Sequence, residues 1–151
     1  MIITLQIDPI IFEVRQKSHL GVQDIKDPEA RDNARAGLDK LEEITRCVFD
    51  GFGQIQRRCG RFLVRDYAVE ADNISRMPSA YCFEFSISER RAVNKAEALE
   101  DAMHNFVVQY ALAKFCATVN QTERSNNHSV AALEYGNQIE ELLYTKLPPR
   151  V

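Results

Sequence analysis

The chain has 151 residues, 45% of them hydrophobic and 27% charged, with a formal net charge of −3. That balance suits one folded domain with an ordinary core and excludes a disordered or fibrous chain. The negative net charge removes the global electrostatic case for nucleic-acid binding and leaves only a local basic patch to argue for it.

In chain order, Ile3, Leu5 and Ile7 alternate with Ile2, Thr4 and Gln6, the period of a short strand with one fully apolar face. Asp8-Pro9 then reads as a helix start, with aspartate as N-cap and proline at the first helical position. Ile10, Ile11 and Val14 supply the buried side, and Gly21 is the expected stop. A second pair, Asp27-Pro28, opens a long helix in the same manner, expected to run from Pro28 to about Phe62, with Glu29 near its positive end. From there Ala34, Leu38, Leu41, Thr45, Val48, Phe52, Ile55, Cys59 and Phe62 recur at alternating steps of four and three, which keeps one side of a helix apolar. Uninterrupted, such a helix is roughly 50 Å long, more than a compact domain of this size needs, so part of it is expected to project or to pack on another subunit. Gly51 and Gly53 mark the place where it is open to a kink or break.

Beyond Gly60 the period becomes alternating. Leu63, Arg65, Tyr67 and Val69 form one run, and Tyr81, Phe83, Phe85 and Ile87 form a second with a large aromatic face. Together they predict a β-hairpin over about 62–88, to which the N-terminal strand could add a third member. Asn94 with Glu97 reads as a capping-box start. The helix that follows carries Leu99, Met103, Phe106, Tyr110 and Ala113 on one side and becomes apolar nearly all round in its second half, the mark of the most buried helix. Its expected centre is Phe106, Val107, Tyr110, Ala111 and Phe115. Asn120 to Ser129 reads as a polar loop, and a last helix places Ala132, Tyr135, Ile139 and Leu142 on one stripe before Pro148-Pro149 ends it. The fold class is therefore mainly α: a single domain over 1–151, a helical bundle with a long helix and a small β-hairpin or sheet excursion.

The chemistry-bearing residues do not converge in the sequence. Cys47, Cys59, Cys82 and Cys116 show no CxxC and no histidine at a zinc spacing, so they read as free thiols in a reducing compartment. His19, His104 and His128 lie in three separate segments, outside any HxxxH or HExxH context. Glycine-rich phosphate loops and a GxSxG elbow are missing, and the carboxylate clusters fall on polar helix faces, so an enzyme is disfavoured and neither cofactor nor metal is expected. The N-terminus has no basic n-region or small-residue cleavage site, and no stretch reaches membrane-spanning length. The one basic cluster is Arg57, Arg58, Arg61 and Arg65, with Asp66 the only acid between Gln54 and Tyr67. It is expected to face phosphates or a partner's carboxylates, or else to complement the helix dipole as a solvated end. The aromatic row Tyr81, Phe83 and Phe85 must be covered by the same chain or by another, which makes it a candidate interface.

The order of a long helix, a hairpin with an aromatic strand (SAYCFEFSISE), a buried helix (AEALEDAMHNFVVQYALAKF) and a terminal helix closing on EELLYTKLPPR resembles the head-tail connector, or neck, proteins of tailed phages, of the kind found in Bacteroidetes prophages. The resemblance covers Tyr81 to Arg150. It implies a structural protein without catalysis or cofactor, whose copies form a ring with the portal, dock the tail and touch packaged DNA without sequence specificity. The implied location is the bacterial cytoplasm and then the virion. From the residues alone, a cytosolic regulatory module binding nucleic acid through the arginine cluster stands as the alternative.

Overall fold

A computed structural model describes residues 1–70, 78–87 and 95–144. Strand β1 (Ile2–Gln6) runs directly into helix α1 (Ile7–Gly21); a short helix α2 (Pro28–Ala34) and one 3-10 turn (Leu38–Lys40) lead to α3 (Leu41–Arg58). Strands β2 (Leu63–Glu70) and β3 (Pro78–Phe85) follow, then α4 (Ala96–Thr118) and α5 (Thr122–Tyr144). The fold is mainly helical with a small antiparallel sheet of order β1-β3-β2. The N-terminal strand is its third member: Ile3 pairs with Phe83 and Leu5 with Tyr81. Alternation puts Ile3, Leu5, Phe83 and Phe85 on one face, all buried, and α1, α3 and α4 pack on that side.

The expected long helix is two helices. Its backbone leaves the α conformation at Arg35–Gly37, while Gly51 and Gly53 lie inside an unbroken α3. The break is held by long-range chemistry. Ser18 is fully buried on α1, and its hydroxyl accepts the Ala36 N–H at 2.8 Å. The Lys40 ammonium donates to the carbonyls of Asn33 and Arg35 at the end of α2, groups that have no partner within the helix. Helix α3 is therefore only about 27 Å long and does not project beyond the domain. Its apolar side, Ile44, Val48, Phe52, Ile55 and Cys59, is buried within the chain itself.

Two helix starts also differ from expectation. Helix α1 begins at Ile7 with Gln6 in the cap position and no side-chain cap, so Pro9 falls within the first turn, where its missing N–H would have no helical partner anyway. Helix α5 begins at Thr122 and absorbs most of the expected polar loop. The Ser125 hydroxyl donates to the Ala113 carbonyl at 2.8 Å, and His128 Nδ1 lies 2.7 Å from Gln109 Oε1, so α4 fastens a segment whose composition favours a loop. Asp27 caps α2 as expected, its carboxylate accepting from Glu29 N–H at 3.1 Å. Asn94, the hairpin tip at 71–77 and Pro148-Pro149 lie outside the described residues.

Helix α4 forms the centre of the molecule. Phe106, Val107, Ala111 and Phe115 are buried, while Tyr110 is half-buried at the edge. The turn from α4 to α5 places Asn120 at φ 61°, with Gln121 N–H donating to Cys116 O at 2.8 Å and Asn120 N–H to Ala117 O at 3.4 Å. These two bonds form a Schellman closure that folds α5 back antiparallel on α4.

Candidate assembly surfaces

The arginine cluster does not form one face. Arg58 turns inward: its guanidinium is 3.3 Å from Glu140 of α5 and 5.7 Å from the centre of the Phe106 ring, and it lies across Gly136. Arg65 is on β2, paired with Glu84 of β3, with its guanidinium 5.2 Å from the Tyr67 ring centre. Arg57 and Arg61 are exposed and have no ion-pair partner among the described residues. Spacing along one helix could not foresee this division, because the chain turns at Cys59 to Phe62 and carries Arg65 onto a strand.

The aromatic row proves to be interior, covered by the same chain. Phe83 is 0% and Phe85 2% exposed, and Tyr81 is half-buried. Helix α3 supplies the cover: the Phe52 ring stacks on Tyr81 with centroids 4.6 Å apart, and Phe49 meets both rings edge-on. The Tyr81 hydroxyl donates to Asp66, which also accepts from Gln56 Nε2 at 2.8 Å, so one carboxylate ties β2, β3 and α3 together. Burial first, and then the Asp66 hydrogen bond and charge, push the Tyr81 hydroxyl pKa upward.

Among the described residues, the helices that contact the sheet are those on the Phe83 face. On the opposite face Ile2, Tyr67 and Val69 are exposed at the margins, while Ala80 and Cys82 on the central strand are buried. Its β2 margin is unpaired among the described residues, and the ladder shifts register at exposed Val64, a bulge that re-aims the strand. An open edge bordered by apolar side chains is a ready site for pairing with another chain. The sequence signal for it is the weaker alternating run from Leu63 to Val69, with apolar residues on both sides of the strand.

Two further features border solvent. On α1, Phe12 (64% exposed) and Leu20 stand two turns apart beside Arg15 and His19. Between α4 and α5 runs a groove of about 430 Å³, lined by Phe106, Tyr110, Ala132 and Leu133 with Arg58 and Lys114 at its margin.

The titratable groups are dispersed. His104 Nε2 lies 2.6 Å from a Glu13 carboxylate oxygen and Lys17 3.1 Å from the other. Partial burial opposes ionisation of Glu13, yet the hydrogen bonds and charges of His104 and Lys17 hold its pKa below the ordinary value. Burial pushes the Cys47 thiol to about 11 and the Cys59 thiol to about 12, and all four cysteines are free and buried. Such thiols are poor nucleophiles. Among the described residues no group of three or more His, Cys, Asp and Glu could hold a metal ion, and no helix is long and apolar enough to cross a membrane. No family model matches the chain, and no curated protein or solved structure matches it either.

Proposed function

We propose that the chain is a non-enzymatic structural subunit of a tailed-phage particle, a head-tail connector or neck protein that assembles with itself or with the portal and docks the tail. The observation that carries this proposal is the β2 edge, which has no strand partner among the described residues and is bordered by exposed Val64, Tyr67 and Val69, directly following the exposed cations Arg57 and Arg61. Helices pack on one side of the sheet, the other exposes Ile2, Tyr67 and Val69, and the β2 edge has no strand partner among the described residues. The order of α3, the hairpin, α4 and α5 adds the likeness to connectors. In a ring, Arg57 and Arg61 would face either a partner's carboxylates or the phosphates of packaged DNA, by charge and not by base sequence.

The nucleic-acid regulator draws less support, because two of its four arginines are already engaged by Glu140 and Glu84. A surface that must neutralise many phosphates is poorly served by the remaining pair. Deleting the gene from the phage that encodes it, with complementation in trans, tests the proposal by electron microscopy. Filled heads without attached tails, restored to whole particles by the wild-type gene, are expected. Undiminished yields of infectious particles from the deletion would exclude a neck role, and selective binding of one duplex sequence at physiological salt would favour the regulator.

A further inference from the structure

The groove between α4 and α5 combines three properties that the packing of this chain does not itself require. Its lining is apolar: Phe106 and Ala132 form a buried floor, Tyr110 is half-buried, and Leu133 stays 52% exposed at its side. Its margin is cationic, with the Arg58 guanidinium 5.7 Å from the Phe106 ring centre and the Lys114 ammonium 5.7 Å from that of Tyr110. No carboxylate is among the residues that line it. Glu140 meets Arg58 from α5, whereas Lys114 has no ion-pair partner among the described residues. In a chain of net charge −3, this is a local reversal of sign placed over apolar surface.

We propose that this groove docks an acidic amphipathic helix of a partner protein. The lining residues of α4 run from Phe106 to Ala117, about 16 Å or three helical turns, which matches the apolar stripe of a short helix. Two antiparallel helices present parallel ridges, and a third helix seated between them buries its apolar side chains against Tyr110 and Leu133. Carboxylates flanking that stripe would meet Lys114, an exposed cation held over the Tyr110 ring, while Arg58 stays engaged by Glu140. The volume lies within the range of ordinary binding clefts, about 300–1,000 Å³. The C-terminal sequence TKLPPRV is an unsuitable occupant, since it contains Lys146 and Arg150, no acid and two prolines. The proposal stands independently of the neck assignment.

The test uses the full chain and a synthetic helix of about four turns, with leucines on one stripe, glutamates beside it and a single tryptophan. Because the protein contains no tryptophan, the emission belongs to the peptide alone. Saturable binding is expected, with amide shifts of the protein concentrated on the facing sides of α4 and α5. Leu133→Asp and Lys114→Glu should each weaken it about tenfold or more. Lys114→Glu should also favour a counterpart peptide carrying lysines for glutamates. Both positions are exposed, and circular dichroism verifies that the variants fold. Absence of saturable binding, or unchanged binding by Leu133→Asp, would overturn the proposal. So would self-association of the protein that Leu133→Asp abolishes, since the occupant would then be a second copy.

Discussion

Ser18 shows how much one hydroxyl contributes to this fold. It is fully buried, and its Oγ satisfies an amide that would otherwise lose its partner when the chain leaves α2. Ser18→Ala should cost about 1–3 kcal/mol in urea unfolding, because a buried N–H is left without an acceptor; Ser18→Thr should lose less if the hydroxyl keeps its direction. Nothing near position 18 in the sequence announces this role, since the partner is 18 residues away. Acid sensitivity also belongs to individual residues. Burial, followed by the charges of Arg124 and Lys17, depresses the His128 pKa below its ordinary 6.5, and Gln109 faces its ring. Just below pH 6.5 the unfolded chain takes up a proton at His128 that the folded chain refuses, so stability falls as pH drops from 6.5 toward the folded pKa. Glu13, held below 4.5, adds a second loss as pH falls from that value toward its own folded pKa. Thermal unfolding across this range should show the first decline in the wild type and a flatter profile in His128→Gln.

Gly51 and Gly53 are two residues apart in α3 and stand in opposite circumstances. A Cβ at Gly51 would lie 3.2 Å from Val107 Cγ1 and 3.5 Å from the Val107 Cα, so its absence lets α3 and α4 approach closely. A Cβ at Gly53 would meet nothing within 4 Å. Gly51→Leu should therefore cost about 1–3 kcal/mol by wedging the helices apart, whereas Gly53→Ala should gain about 0.5–1 kcal/mol of helix propensity. Equal effects at the two sites, measured by chemical denaturation, would contradict the packing. Periodicity located β1, the hairpin, α4 and the core stripe of α3, because each buries one continuous face and that face imposes its spacing on the sequence. It did not locate the break at Arg35–Gly37, since Ala34, Leu38 and Leu41 continue the apolar spacing straight through the turn. The start of α5 was concealed for the opposite reason: Asn120 to Ser129 reads as a loop, and only its bonds to α4 make most of it helical. Among candidate sites, the arginines were visible as a cluster in sequence, but tertiary structure separates them. The α4–α5 groove was invisible because its lining comes from separate helices, and Phe106, Tyr110 and Ala132 read as core.

At the scale of the molecule, most apolar surface among the described residues is satisfied internally, and Ile2 and, beside the β2 edge, Tyr67 and Val69 are among the exceptions. If copies associate there, Tyr67→Lys combined with Val69→Lys should reduce the assembled mass in light scattering while leaving helicity unchanged, since both side chains are exposed. A variant that assembles as the wild type does would place the interface elsewhere. Arg57→Glu with Arg61→Glu should likewise leave the fold intact and lower the yield of infectious particles, whereas full yields would reduce the pair to a solvated helix end. The central claim is a position in a particle, and a cryo-electron microscopy reconstruction of the neck of the encoding phage tests it most directly. The proposed role predicts a ring of copies of this fold between portal and tail, with the β2 edge at a subunit boundary; a neck fully accounted for by other chains, in purified particles that lack this protein, would contradict it.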